Sequence, residues 1–203
     1  MRKRKSLKHL LQLGVMNILL GGILYIFWIE DFQYLMPNKE VNASEWVAPE
    51  MLSQWEIELN RPAYFHFYDP NCKFSKVNLK HLQGVFEPFQ GKVDFFLILL
   101  DEDKNTIQSQ RLLQELSHDL SARIIYDPNA EFSQLLGVNA FPNALILDTD
   151  GRRYFQGNYT QGMSFCGSDN IDQSAPLIAL EFQCKNNPPP LFPRINGYQC
   201  AIN

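Results

Sequence analysis

One cysteine stands where a thiol would be most reactive. Cys72 follows the apolar run Ala63-Tyr64-Phe65-His66-Phe67-Tyr68 and the turn Asp69-Pro70-Asn71, and a helix-like pattern opens at Phe74. That order reads as buried strand, turn and helix start. A cysteine at a helix N-terminus meets unpaired backbone N–H groups and the positive end of the helix dipole, and both favour the nucleophilic thiolate. The competing reading is an inert cysteine packed as a small hydrophobe. Pro70 in the turn and the adjacent Lys73 favour a solvent-reachable, reactive thiol. Three residues on, Ser75 stands where a second thiol would complete a Cys-x-x-Cys pair. A hydroxyl cannot close a disulfide. Ser75 can hydrogen-bond a Cys72 thiolate from one turn away, or simply serve as a polar residue of the first helical turn. A solitary Cys72 can form a mixed disulfide, but its release needs another thiolate.

Three further cysteines follow, Cys166, Cys184 and Cys200. An even number in an oxidising compartment permits two disulfides, with three pairings open. No spacing suits zinc, and Asp101-Glu102-Asp103 reads as a solvated turn, so no metal site is expected. No motif calls for a cofactor. The net charge of −4 leaves no basic footprint for nucleic acid. Asn42-Ala43-Ser44 and Asn158-Tyr159-Thr160 are glycosylation sequons, meaningful only in a source that glycosylates secreted proteins.

The N-terminus is organised differently. Residues 1–9 carry the cationic block Arg2-Lys3-Arg4-Lys5, and residues 10–29 are apolar apart from Gln12 and Asn17. That length is close to the roughly 20 residues a helix needs to span the hydrocarbon layer. Tyr25 and Trp28 suit the far interface, and the positive-inside rule keeps residues 1–9 in the cytoplasm. A cleaved signal peptide would want small residues soon after the apolar core. Ile29-Glu30-Asp31-Phe32 follows instead, so the expectation is an uncleaved transmembrane anchor.

Residues 30–58 form a connector with Pro37 and Pro49. Strands are expected over 63–68, 93–100 and 124–126, the second buried on both faces. Helices are expected over 74–86, 106–118, 130–136 and 175–182. Residues 144–147 and 153–156 flank Asp150-Gly151, a hairpin signal. The proline-rich stretch 186–193 cannot be helical and should run extended. The alternation of strands and helices, closing on a hairpin, implies an α/β sandwich with parallel and antiparallel strands.

Two stretches, Phe65 to Ser75 and Gly137-Val138-Asn139-Ala140-Phe141-Pro142 with the hairpin after it, give the chain a resemblance to the thioredoxin superfamily over roughly 59–182. Among its branches the chain looks like anchored, single-cysteine (Cys-x-x-Ser) bacterial members of unassigned role. The resemblance implies a thioredoxin-like mixed sheet flanked by helices, preceded by one transmembrane helix, with 183–203 as a proline-rich tail. It implies a cis peptide bond at Pro142 beside Cys72. Phe141 and Pro142 would then shape a groove where an extended partner chain adds as a strand. It places Cys166 in the loop before the last helix, as candidate resolving thiol for Cys72, with Cys184–Cys200 as a structural staple. It puts His66 where the family often has a buried acid, so histidine there is a candidate proton relay near neutral pH, against the plainer reading of a packed core histidine.

The sequence therefore points to thiol–disulfide exchange on a protein or small-thiol partner. Cys72 would be the nucleophile and Cys166, Ser75 and Pro142 its supports. The protein would be held at the cytoplasmic membrane with its domain on the periplasmic or extracytoplasmic side. The alternative is a non-catalytic binding module on the same fold with structural cysteines. A thiol peroxidase fits less well, because the Pro-x-x-x-Thr/Ser-x-x-Cys arrangement of that branch is absent.

Overall fold

A computed structural model of the chain describes residues 2–29, 44–100, 122–158, 174–189, 194–195 and 200–201. The helix expected over 106–118, the carboxylates at 101–103 and Cys166 lie outside them. The chain divides into two compact units, Met1–Met36 and Pro37–Asn203.

The first unit holds helix α1 (Arg2–Phe27). Its described side chains include exposed Leu13, Met16, Ile18, Leu19, Ile23, Leu24 and Phe27. Among the described residues no helix is long and apolar enough to cross a membrane.

The second unit is built on a six-stranded mixed sheet in the order β3-β2-β1-β5-β6-β7. Its strands are β1 (Ala63–Tyr68), β2 (Asp94–Leu99), β3 (Arg123–Tyr126), β5 (Asn143–Leu147), β6 (Arg153–Gly157) and β7 (Arg194–Ile195). β1 lies in the middle, parallel to β2 and antiparallel to β5. Helix α2 (Pro49–Ser53) precedes the sheet. Then α3 (Lys73–Phe86) follows β1, α4 (Glu131–Leu135) follows β3 and α5 (Ala175–Cys184) precedes the tail. A separate two-residue ladder joins β4 (Ala140–Phe141) to β8 (Cys200–Ala201).

The alternation of β1 explains why both faces of the sheet are covered. Tyr64 and Tyr68 point into one apolar layer with Leu82, Phe86 and Leu180, so α3 and α5 pack there. Phe65 and Phe67 point into the other, with Leu52, Phe132 and Phe141. Successive strand side chains face opposite ways, so an aromatic at almost every position fills both layers. Phe86 stacks on Phe95 with ring centroids 4.1 Å apart, and Phe65 on Phe96 at 4.9 Å.

The end of the expected connector is built into this unit. Val47, Leu52 and Ile57 are core residues, and Trp46 bridges Arg152. The Asp150-Gly151 hairpin forms, with Gly151 at φ +82° and its carbonyl accepting from the Val47 N–H at 2.9 Å. Asn158 is buried and its Oδ1 accepts from Asn78 Nδ2 at 3.0 Å, so the second sequon does not offer its amide to a glycosylating enzyme in the folded state.

Candidate functional site

The turn before α3 is held by its own side chains. Asp69 Oδ1 accepts from the Asn71 N–H at 2.8 Å, and the Asp69 carbonyl accepts from the Cys72 N–H at 3.1 Å. Ser75 is fully buried, and its Oγ accepts the Asp69 N–H at 3.2 Å. The bond the structure gives Ser75 therefore closes the turn rather than reaching the Cys72 sulfur. These bonds set Cys72 directly before the first residue of α3, as its position in the sequence implied.

The other wall comes from β4 and β5. The Phe141–Pro142 peptide is cis, as expected. The Phe141 carbonyl oxygen lies 3.4 Å from Cys72 Sγ, and the Phe141 ring packs edge-on against Phe67 at 6.1 Å. Cys72 and Phe141 thus meet, although they stand 69 residues apart in sequence.

The expected pairing of the cysteines is overturned. Cys72 is joined to Cys200, not to Cys166, with Cα atoms 6.0 Å apart. Cys184, expected to pair with Cys200, is a free and exposed thiol at the end of α5. Backbone pairing is the physical reason. Cys200 stands opposite Phe141 in the β4–β8 ladder, and Phe141 touches the Cys72 sulfur. That brings the two cysteines within the roughly 4.4–6.8 Å that a disulfide spans. Cys72 is consequently not a solitary thiol, and its expected exposure is corrected too: it is 2% exposed, while Cys200 is only half-buried. Partial burial pushes the Cys184 thiol above its ordinary pKa, opposed by the charge of Lys92.

His66 lies on β1 and is completely buried, on the same face as Tyr68 with ring centroids 6.4 Å apart. Burial lowers its pKa from 6.5 to about 3. The imidazole stays neutral at physiological pH, which favours the plainer reading over a relay that charges near neutrality. Desolvation penalises the cation. The plainer reading, a core histidine, stands. Among the described residues no cluster of side chains could hold a metal ion.

Sequence reasoning missed Cys200 as the partner of Cys72, and with it the pairing of β8 on β4. The available signal was a cysteine seven residues beyond the proline-rich stretch. Nothing in its spacing set it apart from Cys166.

The central mixed sheet, the cysteine ahead of α3 and cis-Pro142 across from it fit a thioredoxin-like fold. No family model matches the chain, and no curated protein does. Solved structures do. An uncharacterized conserved protein from Geobacillus kaustophilus is 15% identical, with a TM-score of 0.63, over 83% of this chain and 96% of that one. A hypothetical protein from Sinorhizobium meliloti is 14% identical, with a TM-score of 0.58, over 82% of this chain and 94% of that one. At these identities the likeness is one of fold. A secreted Mycobacterium tuberculosis disulfide oxidoreductase is 17% identical over 62% of this chain and 85% of that one, at a TM-score of 0.46, too low to argue from.

Proposed function

We propose that this protein performs thiol–disulfide exchange on a protein or small-thiol partner, with Cys72 as the sulfur at the helix N-terminus and Cys200 as the second sulfur. One observation carries the reading: the Cys72–Cys200 bond sits directly before α3 and against the carbonyl that precedes cis-Pro142. A disulfide there has a good leaving group, because the dipole of α3 stabilises Cys72 as a departing thiolate. The second reading is a non-catalytic module with structural cysteines, favoured by the near-complete burial of Cys72.

Reduction without denaturant separates them. Exchange requires a small dithiol to open Cys72–Cys200 in the folded protein, at a rate first-order in dithiol. A bond that opens only at the rate of global unfolding would sink the exchange reading and leave the module.

The setting belongs to the same proposal. The cationic residues 1–9, the apolar run 10–29 and the exposed apolar side chains of α1 support an anchor in the cytoplasmic membrane, with the domain on its outer side. Loss of the full chain from membranes on alkaline washing would remove the anchor from this account.

A further inference from the structure

Cys200 is held twice. Its sulfur is bonded to Cys72, and its backbone, with that of Ala201, forms an antiparallel ladder with Phe141 and Ala140. The two attachments converge on one place, the edge of β4 next to cis-Pro142. β4 is no part of the six-stranded sheet, and within the described residues its strand partner is β8. We propose that this edge is a seat for an extended, cysteine-bearing polypeptide, that the protein's own tail fills it while Cys72–Cys200 is intact, and that reduction of that bond opens it to a partner. This rests on the exchange reading and adds to it the means of its control: the tail as a plug that the disulfide locks in place.

The register defines the occupant. The partner runs antiparallel to β4 with its cysteine opposite Phe141, as Cys200 does. Backbone pairing selects an extended chain whatever its side chains, and the sulfur selects cysteine.

The tail has a local advantage over any partner. β7 is fixed parallel to β6, with Gln156 opposite Arg194 and Gly157 opposite Ile195. Only four residues, Asn196 to Gln199, separate β7 from Cys200. A tether that short gives an intramolecular competitor a local concentration on the order of millimolar. The covalent bond is what makes the occupation complete, because a ladder of two residues offers few hydrogen bonds.

The exposure of the two sulfurs' residues sets the direction of opening. Cys200 is half-buried and Cys72 buried, so an incoming dithiol attacks Cys200 Sγ. A bond forms between the dithiol and Cys200, and Cys72 leaves with the electron pair as thiolate. The second thiol of the reductant then attacks the first, releasing Cys200 as thiolate and the reductant as its disulfide. Two electrons pass to the protein, and the reductant is oxidised by two.

The probe is a synthetic peptide with the sequence of residues 194–203, its cysteine activated as a mixed disulfide with thionitrobenzoate. The Cys72 thiolate attacks the peptide sulfur and thionitrobenzoate leaves, so each crosslink gives one coloured thiolate. In the full-length Cys200→Ser protein the crosslink at Cys72, located by peptide mapping so that reaction at Cys166 or Cys184 is not counted, should form roughly three- to tenfold faster with this peptide than with one carrying proline in place of the alanine matching Ala201, the ratio that one lost ladder hydrogen bond would supply. The oxidised wild type should form no crosslink at Cys72. Equal rates with the two peptides would overturn the strand seat. Iodoacetamide labelling of Cys72 in the same variant keeps the two ideas apart. Rapid labelling with equal peptide rates defeats the seat alone, and absence of labelling defeats the exchange reading with it. A second measurement needs no variant. Hydrogen exchange in the wild type should lose protection at residues 140–141 and 200–201 when the disulfide is reduced, and unchanged protection there would overturn the release of the tail.

Discussion

Acid should weaken this fold through one buried ring. His66 is fully buried and its pKa falls from 6.5 to about 3 on folding. Between those values the unfolded chain holds a proton at this position and the folded chain does not. Stability therefore rises with pH across the window and is lost as pH falls through it. At pH 7.5 neither state is charged and the contribution vanishes. At pH 4.5 the unfolded histidine is about 99% protonated and the folded one almost not at all, which costs about 3 kcal/mol. Carboxylates titrate over the same range, so the test is a difference. Urea unfolding of wild type and His66→Gln, each at pH 7.5 and 4.5, should show the wild type losing about 2–3 kcal/mol more than the variant. The amide of glutamine keeps a polar group in place without titrating. Equal acid losses in the two proteins would refute the reasoning, since the ring would then be reaching solvent or gaining its proton inside the fold.

Two further predictions concern stability. The Cys72–Cys200 bond spans a sequence separation of 128, for which the chain-entropy relation gives about 5 kcal/mol of stabilisation. Urea titrations of oxidised wild type and Cys200→Ser should differ by up to that amount, and a more stable variant would show that the bond strains the native state. Asp127 is buried, and its carboxylate accepts from the N–H groups of Phe132 and Ser133 at 3.0 and 2.8 Å and from the Ser133 hydroxyl at 2.6 Å. Asp127→Ala strands three buried donors at the start of α4 and should cost about 2–4 kcal/mol in thermal or urea unfolding; a loss under about 0.5 kcal/mol would mean that the helix start does not depend on this carboxylate.

What could be read from the residues divides along a physical line. β1 spans Ala63–Tyr68 as expected, and α3 starts one residue before its expected position, because long apolar runs declare their period locally. The cis bond at Pro142 and its meeting with Cys72 came from the motif. β4, β7 and β8 have two residues each, too few to show any period, and they exist only because distant chain supplies a partner. Disulfide connectivity is likewise a property of the folded backbone, so spacing alone could not choose Cys200 over Cys166. The surroundings of His66 were open in the sequence for a related reason. A histidine six residues before a cysteine looks the same in sequence whether its surroundings are wet or dry, and here Tyr64, Tyr68 and the strands on either side exclude water completely.

The docking of β7 on β6 carries a consequence for the integrity of the molecule. β6 is five residues of nearly continuous burial, and without Arg194–Ile195 beside it part of its outer flank would present unmatched amide and carbonyl groups. Such a flank is a template for neighbouring copies. Once Cys72–Cys200 is reduced, a protease that trimmed the chain after α5 would strip away Cys200 and bare that flank in one cut. The trimmed species would keep a lone Cys72 thiol and an open sheet edge, which ties the aggregation of this domain to the same short stretch that holds Cys200.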